Sequence, residues 1–408
     1  MPSHEQARRD ELYLDPYPLY ARARRAGGLT YVPECDAWLV ARDRDVREVL
    51  LRPEDFSSAN ALTPDVVPAP AALAVLAKGF GPCPTVVTSD GAEHARHRAV
   101  LNRALSARRV AALVPYARQC ARELADGIAA DGAAELMGAY ARRLPGLVIG
   151  RLIGLDPADV PAAVHGGYRA EELLFRPLPP QEQVAAASDV VALQHLLDRY
   201  VRDRRASPRD DLCSTMVAAL APGDCELTLA QRQELVASLQ NLLIAGFLTT
   251  AALIGSTLLH LLRDDRAPWE RLCADPALIP AAVEEAARYD TAVQAFRRIT
   301  TRPLTLAGTA LPAGAALLVA FGSANRDADR YEHADRFDID RPLDRRHLAF
   351  GQGPHGCPGS QLARQQLRLT LDLFTHRLPD LRLAPDDTAA AMRPTLIHRS
   401  PHTLHVTC

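Results

Sequence analysis

The chain contains a single lysine, Lys78, although Lys and Arg together number 47. Positive charge is therefore carried by arginine. With Asp and Glu at 49, the formal net charge is only −2. No global basic excess points to nucleic acid as a partner. Cysteine is sparse as well: eight residues, at 35, 83, 120, 213, 225, 273, 357 and 408, with no CxxC pair. That scatter excludes a zinc ribbon and a disulfide scaffold, and it fits a reducing cytoplasm. The opening MPSHEQARRDELYLDPYP lacks the basic-then-apolar layout of a signal peptide. Repeats and linkers between independent domains are missing too. Although 408 residues could form two or three domains, the expectation is one large domain over 1–408.

Hydrophobic residues make up 48% of the sequence, enough for a large core. Residues 242–262, LLIAGFLTTAALIGSTLLHLL, run without a charge for twenty-one positions, long enough to cross a bilayer. No basic cluster or aromatic belt flanks the run, so no membrane span is expected. Thr228, with Gln231 three residues later, has capping-box spacing. The pattern then predicts one helix of about 34 residues from Thr228 to Arg263, apolar all round in its middle, as a helix inside a soluble core must be. Short strands are expected near 28–45 and 296–322, and a long loop over 58–90. Helices fill most of the remainder, with breaks near 154–161 and 176–180. The class is mainly α with small β-sheets (α+β).

The most specific stretch is FGQGPHGCPG, residues 350–359, ahead of the amphipathic SQLARQQLRLTLDLFTHRL. Cys357 stands at the mouth of that helix, with Pro358 suited to its first turn. Unpaired helix N–H groups favour a thiolate over a thiol. Glycines at 351, 353, 356 and 359 let the backbone turn tightly and approach a flat ligand. An isolated cysteine in a turn is ordinarily a small buried hydrophobe. The ten-residue pattern argues for more, because thiolate sulfur in such a loop suits the proximal side of an iron porphyrin.

The pattern resembles the haem-binding signature F-G-x-G-x-H-x-C-x-G of the cytochrome P450 superfamily at every fixed position. Resemblance to the soluble bacterial members, which draw electrons from separate proteins, covers nearly the whole chain. It implies the cytochrome P450 fold around a buried haem b, with Cys357 as the axial thiolate and metal ligand, and Phe350 and Gly351 in the cofactor loop. Glu285-Ala286-Ala287-Arg288 looks like the family's E-x-x-R helix, and Arg336 in ADRF is expected to complete a Glu–Arg–Arg network. SDGAEHARHR (89–98) resembles D-P-P-x-H-x-x-x-R, with Gly91-Ala92 in place of the prolines. His94 and Arg98, with Arg298 and His355, are then expected at the haem propionates, where cationic donors offset the desolvation of carboxylates. The other histidines, among them His165, His260 and His347, show no metal-ligand spacing.

The family's A-G-x-[Asp/Glu]-T-[Thr/Ser] appears as Ala245-Gly246-Phe247-Leu248-Thr249-Thr250. Gly246 leaves room for dioxygen and the catalytic Thr249 is retained, but Leu248 replaces the proton-relay acid. The segment GFLTTAAL is similar to S-F-L-T-T-A-L of the cyclodipeptide-coupling branch typified by mycocyclosin synthase. Similarity continues in HLAFGQGPHGCPGS and around Ile397-His398-Arg399. Gly246 replaces a serine of that branch and His398 an arginine, which puts cyclodityrosine itself in doubt as substrate.

Three functions compete. The first is oxidative C–C or C–N coupling of an aromatic cyclic dipeptide, with the small aromatic substrate met by Phe247, Leu248, Phe296 and His398. The second is hydroxylation or epoxidation of a macrolide, terpene or fatty acid. The third is non-catalytic binding of a diatomic gas. Substrate contacts are expected from 58–89, 165–180, 291–297 and the turn at His398. The resemblance implies ferredoxin and ferredoxin reductase as electron donors. Arginines 96, 98, 103, 108, 109, 345, 346 and 364 are candidates for a basic docking face.

Overall fold

The computed structural model describes residues 12–342, 346–385 and 391–408. The backbone gathers into two compact units, Met1–Ser57 with Val114–Leu144 and Thr249–Cys408, and Ser58–Leu113 with Pro145–Leu248. Each unit is assembled from separated stretches of the chain.

All ten strands of the described residues fall in the first unit: β1 Thr30–Val32, β2 Ala37–Val40, β3 Phe56–Ser57, β4 Ala133–Glu135, β5 Ala295–Thr300, β6 Leu304–Leu306, β7 Thr309–Leu311, β8 Ala316–Ala320, β9 Arg382–Leu383 and β10 His405–Thr407. They form a five-stranded sheet in the order β1-β2-β8-β5-β3, a three-stranded sheet β4-β10-β9 and the hairpin β6-β7. The hairpin turn places Ala307 and Gly308 at positive φ, the geometry signalled by that dipeptide. The large sheet buries Val40, Phe56, Leu317 and Val319 against Val46 and Leu50 of the helix Asp43–Leu51.

The second unit contains no strand among the described residues. Its helix Val160–Phe175 packs on Pro180–Ala206. The expected break after residue 153 is made by Gly154, at φ +95°. Residues 58–90 depart from the expected loop: Pro70–Leu76 is helical and packs on Pro180–Ala206. The sequence reason is visible in retrospect. Pro70 occupies a first-turn position, where its missing N–H costs nothing, ahead of the helix-favouring AALAVL.

The central helix spans Leu229–Leu262, 34 residues. The Thr228 backbone N–H donates to Gln231 Oε1 at 2.9 Å, and the Gln231 N–H to Thr228 Oγ1 at 3.3 Å, closing the capping box. Its most apolar window is 78% buried, so length and composition that would suit a membrane are used in the interior. Thr228→Ala removes the cap from an exposed site and should cost about 0.5–2 kcal/mol, read as a lower urea midpoint. Lys78→Ala, at a site with no such role, should leave the midpoint in place.

Candidate functional site

The cysteine loop is shaped by its own backbone first. The Cys357 N–H donates to the Phe350 carbonyl at 2.8 Å, and Gly351 and Gly356 donate to Leu348 and Gly353. Gly353 has φ +71°, and a Cβ there would lie 2.3 Å from the Leu50 carbonyl oxygen, so only glycine fits. The following helix begins at Ser360, with Gly359 as N-cap. Pro358 thus precedes the helix and does not sit in its first turn. With two glycines flanking Cys357-Pro358, the chain stays in turn geometry longer than the proline suggested. The thiol of Cys357 is exposed.

Side chains then brace the loop. Arg364 makes a two-pronged bond to Glu284, at 2.6 and 2.8 Å, and its guanidinium lies 4.2 Å from the Phe350 ring centroid. His347 reaches the same carboxylate at 3.1 Å. Burial alone would raise the Glu284 pKa, but the bonds from His347 and Arg364 outweigh it and hold the carboxyl at about 2. Arg47 ties Asp43, the Gln352 side chain and the Arg346 carbonyl together at 2.7–2.8 Å. A cleft of about 600 Å³ opens here, with Arg47, Arg341, Arg346, His347 and Arg364 in its walls.

The neighbouring carboxylate, Glu285, is buried and paired with Arg288 at 2.7 and 2.8 Å. Its second arginine is Arg341, at 3.0 Å, and not Arg336 as the sequence suggested. Arg336 is exposed, and what it supplies to this network is its carbonyl, which accepts from Arg288 and Arg341. The turn over 332–341 decides this: it directs the backbone of Arg336 inward and returns Arg341 to Glu285.

The other predicted residues fall as follows. His94 is buried on the helix Gly91–Ala104, its pKa pushed down by burial and then by Arg98. Arg98 bonds Asn102 at 3.0 Å. Gly91 opens this helix at φ +55°, a conformation closed to the proline the family pattern places there. Arg298 lies buried on β5, donating to the Arg297 carbonyl at 2.7 Å, and His355 is half-buried at the end of the turn Gly353–His355.

At Gly246 a Cβ would meet Ile149 at 2.5 Å, so the glycine permits close packing with the helix Arg143–Ile153. Phe247 is fully buried, its ring 4.8 Å from Tyr168 and filling the space a Cβ on Gly167 would need. Leu248 is 5% exposed, whereas Thr249 is half-buried. Phe296 packs edge-on against Phe321 at 6.2 Å.

His398 pairs with Val293 across an antiparallel bridge, so the expected contact segments 291–297 and the C-terminal turn adjoin. The bonds Gln294 N–H to Ile397 O and Arg399 N–H to Ala292 O extend that pairing. Sequence reasoning missed what anchors it. Asp290, buried, accepts from Arg399 at 2.7 Å, Tyr17 at 2.8 Å and His260 at 2.9 Å. Only a charge one residue after Tyr289 hinted at it, and no local spacing announces three partners so far apart in sequence.

In the candidate docking face, Arg96 pairs with Glu234, Arg109 with Asp210 and Arg364 with Glu284; Arg103, Arg108 and Arg346 are exposed. Arg345 lies outside the described residues. Among the described residues no cluster of three or more His, Cys, Asp or Glu is arranged to hold a metal ion.

A cytochrome P450 family model matches residues 168–388. The chain is 35% identical over 368 residues to cytochrome P450 144 of Mycobacterium tuberculosis, covering 89% of this chain and 82% of that one. This chain is a cytochrome P450.

It is also 35% identical over 375 residues to mycinamicin IV hydroxylase/epoxidase of Micromonospora griseorubida, covering 91% and 89% of the two chains. The solved structure of cytochrome P450 CREJ in complex with (4-ethylphenyl) dihydrogen phosphate superposes with a TM-score of 0.89 at 30% identity, over 96% of this chain and 97% of that one. As a P450 this enzyme is an oxidoreductase of the monooxygenase family that takes haem b on a cysteine thiolate and draws electrons from a redox partner. The residues present fit that group. An exposed thiol stands in a glycine turn, and Gly351, at φ +63°, leaves its Cβ side open to within 3.8 Å.

The Glu284 brace makes a pH prediction. Its folded pKa lies below the ordinary 4.5, so its stabilisation is present above about pH 4.5 and lost as pH falls toward 2. Glu284→Gln should cost about 1–3 kcal/mol at pH 7 after allowance for partial exposure, with the gap to wild type closing below about pH 4. Denaturant unfolding at both pH values measures it.

Proposed function

We propose that this P450 couples aromatic rings of a Tyr- or Trp-containing cyclic dipeptide, joining carbon to carbon or carbon to nitrogen, within one molecule or between two. The observation that carries the reading is Leu248: an apolar, buried side chain stands in the relay-acid position, within a run that resembles the coupling branch of the family. Coupling balances without oxygen insertion. Two hydrogens leave the substrate and one bond forms between rings. Dioxygen takes those hydrogens together with two electrons from the redox partner and two protons from solvent, and leaves as two waters.

Cys357 would hold haem b, which would supply the oxidising power. His94, Arg98, Arg298 and His355 would pair with its carboxylates, and Phe350, Gly351 and Gly246 would lie against it. Thr249 holds the water that delivers protons, and Leu248 contributes none. Phe296 and His398 contact the substrate, the latter fixed through the Arg399–Asp290 pair. Ferredoxin and ferredoxin reductase deliver electrons in the cytoplasm.

A second reading, hydroxylation or epoxidation of a macrolide, is supported by the similarity to mycinamicin IV hydroxylase/epoxidase and by the retained Thr249. Product composition separates the two: loss of two hydrogens against gain of one oxygen. Thr249→Ala should slow turnover about 10²–10⁴-fold or divert dioxygen to peroxide, the effect of a lost proton relay. Leu248→Glu places a carboxyl against an apolar wall, where desolvation raises its pKa. Weaker substrate binding and more hydroxylated or uncoupled product are expected. A faster reaction with unchanged product would contradict altered chemistry at this position.

A further inference from the structure

Tyr17, at the start of the helix Tyr17–Arg25, stands 273 residues ahead of Asp290 in sequence, and its hydroxyl donates to Asp290 Oδ1 at 2.8 Å. The same hydroxyl accepts from Gln294 Nε2 at 3.2 Å, and Gln294 also donates to the Thr291 carbonyl at 2.8 Å. One phenol oxygen thus joins both ends of the stretch 290–294. Asp290, Thr291 and Gln294 are each 1% exposed, so these bonds form where a lost partner is costly. The other carboxylate oxygen of Asp290 meets His260 at 2.9 Å. Burial, and then the Asp290 charge, push the Tyr17 pKa up, so the hydroxyl keeps its proton. The ring is held as well: the Arg326 guanidinium lies 3.6 Å from its centroid and 3.8 Å from that of Tyr289. All of these residues belong to one compact unit.

The stretch that Tyr17 closes is the one that pairs with the His398 turn. Gln294 N–H donates to the Ile397 carbonyl and Arg399 N–H to the Ala292 carbonyl, with Val293 opposite His398. The turn has its own brace in Thr395 Oγ1, which accepts from the His398 N–H at 2.9 Å and donates to its carbonyl at 2.6 Å. That brace sets the shape of the turn. Its place comes from 292–294, and those residues are held through Asp290 and Gln294. Tyr20 supplies a contrast within the same helix. It is fully buried, yet its hydroxyl has no hydrogen-bond partner among the described residues.

We infer that Tyr17 is a positioning residue for substrate selection: by clamping Asp290 and Gln294 it fixes where the His398 turn stands, and so governs which substrates that turn accepts without touching them. The inference rests on the proposed contact between His398 and substrate. It makes the N-terminal helix a determinant of specificity.

The test compares wild type, Tyr17→Phe, Gln294→Met and Tyr20→Phe as haem-loaded proteins. Tyr17→Phe keeps the ring beside Arg326, and Asp290 keeps Arg399 and His260. Gln294→Met cuts the same link from its other end and decides the matter should Tyr17→Phe not fold. Hydrogen exchange in peptides covering 291–299 and 392–401 should quicken about 10-fold in both variants, the loss of roughly one hydrogen bond, and stay at the wild-type rate in the peptide covering 346–359. Spectral titration with imidazole and its phenyl- and biphenyl-substituted forms reads selection, because the imidazole nitrogen ligates haem iron while the substituent meets the surrounding protein. Imidazole affinity should stay within about 2-fold of wild type throughout, while affinity for the biphenyl form should move about 5- to 10-fold in Tyr17→Phe and Gln294→Met. Tyr20→Phe should match wild type in both measurements. A loss of stability alone does not alter the ratio of two affinities. The inference is overturned if that ratio stays at its wild-type value in the two variants, if neither peptide exchanges faster, or if Tyr20→Phe behaves as Tyr17→Phe does. Cyclo(Tyr-Tyr) and cyclo(Trp-Trp), titrated alongside, test the reading beneath it. If the azole ratio moves and neither cyclic dipeptide binds wild type, the coupling reading falls and the role of Tyr17 stands. If the dipeptides bind and the ratio does not move, the role of Tyr17 falls and the coupling reading stands.

Discussion

Two consecutive carboxylates on the helix Ile279–Tyr289 carry the constraint on which the cysteine loop depends. Glu284 grips Arg364 and His347, and Glu285 grips Arg288 and Arg341. Adjacent helical positions point about 100° apart, so one rigid element holds two separate stretches at once: the turn over 332–341 and the segment 347–364. The Glu285–Arg288 pair is almost wholly buried. Removing one partner of such a pair strands the other and costs about 3–5 kcal/mol, far more than a surface pair. The geometry of the loop thus rests on charges fixed outside it. Arg364 stacks on Phe350 while bonding Glu284, so the aromatic residue of the loop is located by the same guanidinium.

The second constraint is the central helix. Its start is exposed, and its most apolar window is 78% buried. Gly246 and Gly255 allow Ile149 and Met137 to approach within contact of the helix axis. Thr249 is half-buried, and Leu248 beside it is buried. The proposed coupling chemistry turns on Leu248, because a carboxyl at that position would serve as a general acid that leucine cannot replace.

Much of this was legible in the sequence where local rules suffice. The capping box fixed the start of the central helix, Ala307-Gly308 marked a hairpin, and ten residues around Cys357 identified the family. Long-range choices were not legible. Arg336 and Arg341 are both plausible partners for Glu285, and only the path of the intervening turn selects between them. The helix Pro70–Leu76 is too short for periodicity to announce and is stabilised by packing. Asp290 gathers Tyr17, His260 and Arg399 from three distant segments, a convergence that spacing cannot encode. Phe247 and Leu248 are adjacent apolar residues, and burial alone distinguishes them from the accessible Ala245 nearby.

The most direct test of the account is the carbon monoxide complex of the reduced, haem-loaded enzyme, recorded for wild type, for Cys357→Ser and for variants replacing Cys35, Cys83 and Cys408 in turn. The account predicts the long-wavelength absorption band of thiolate-ligated haem in wild type and in those three variants, and its loss in Cys357→Ser alone. A thiolate band that survives in Cys357→Ser would contradict the assignment of Cys357, and with it the site built around this loop.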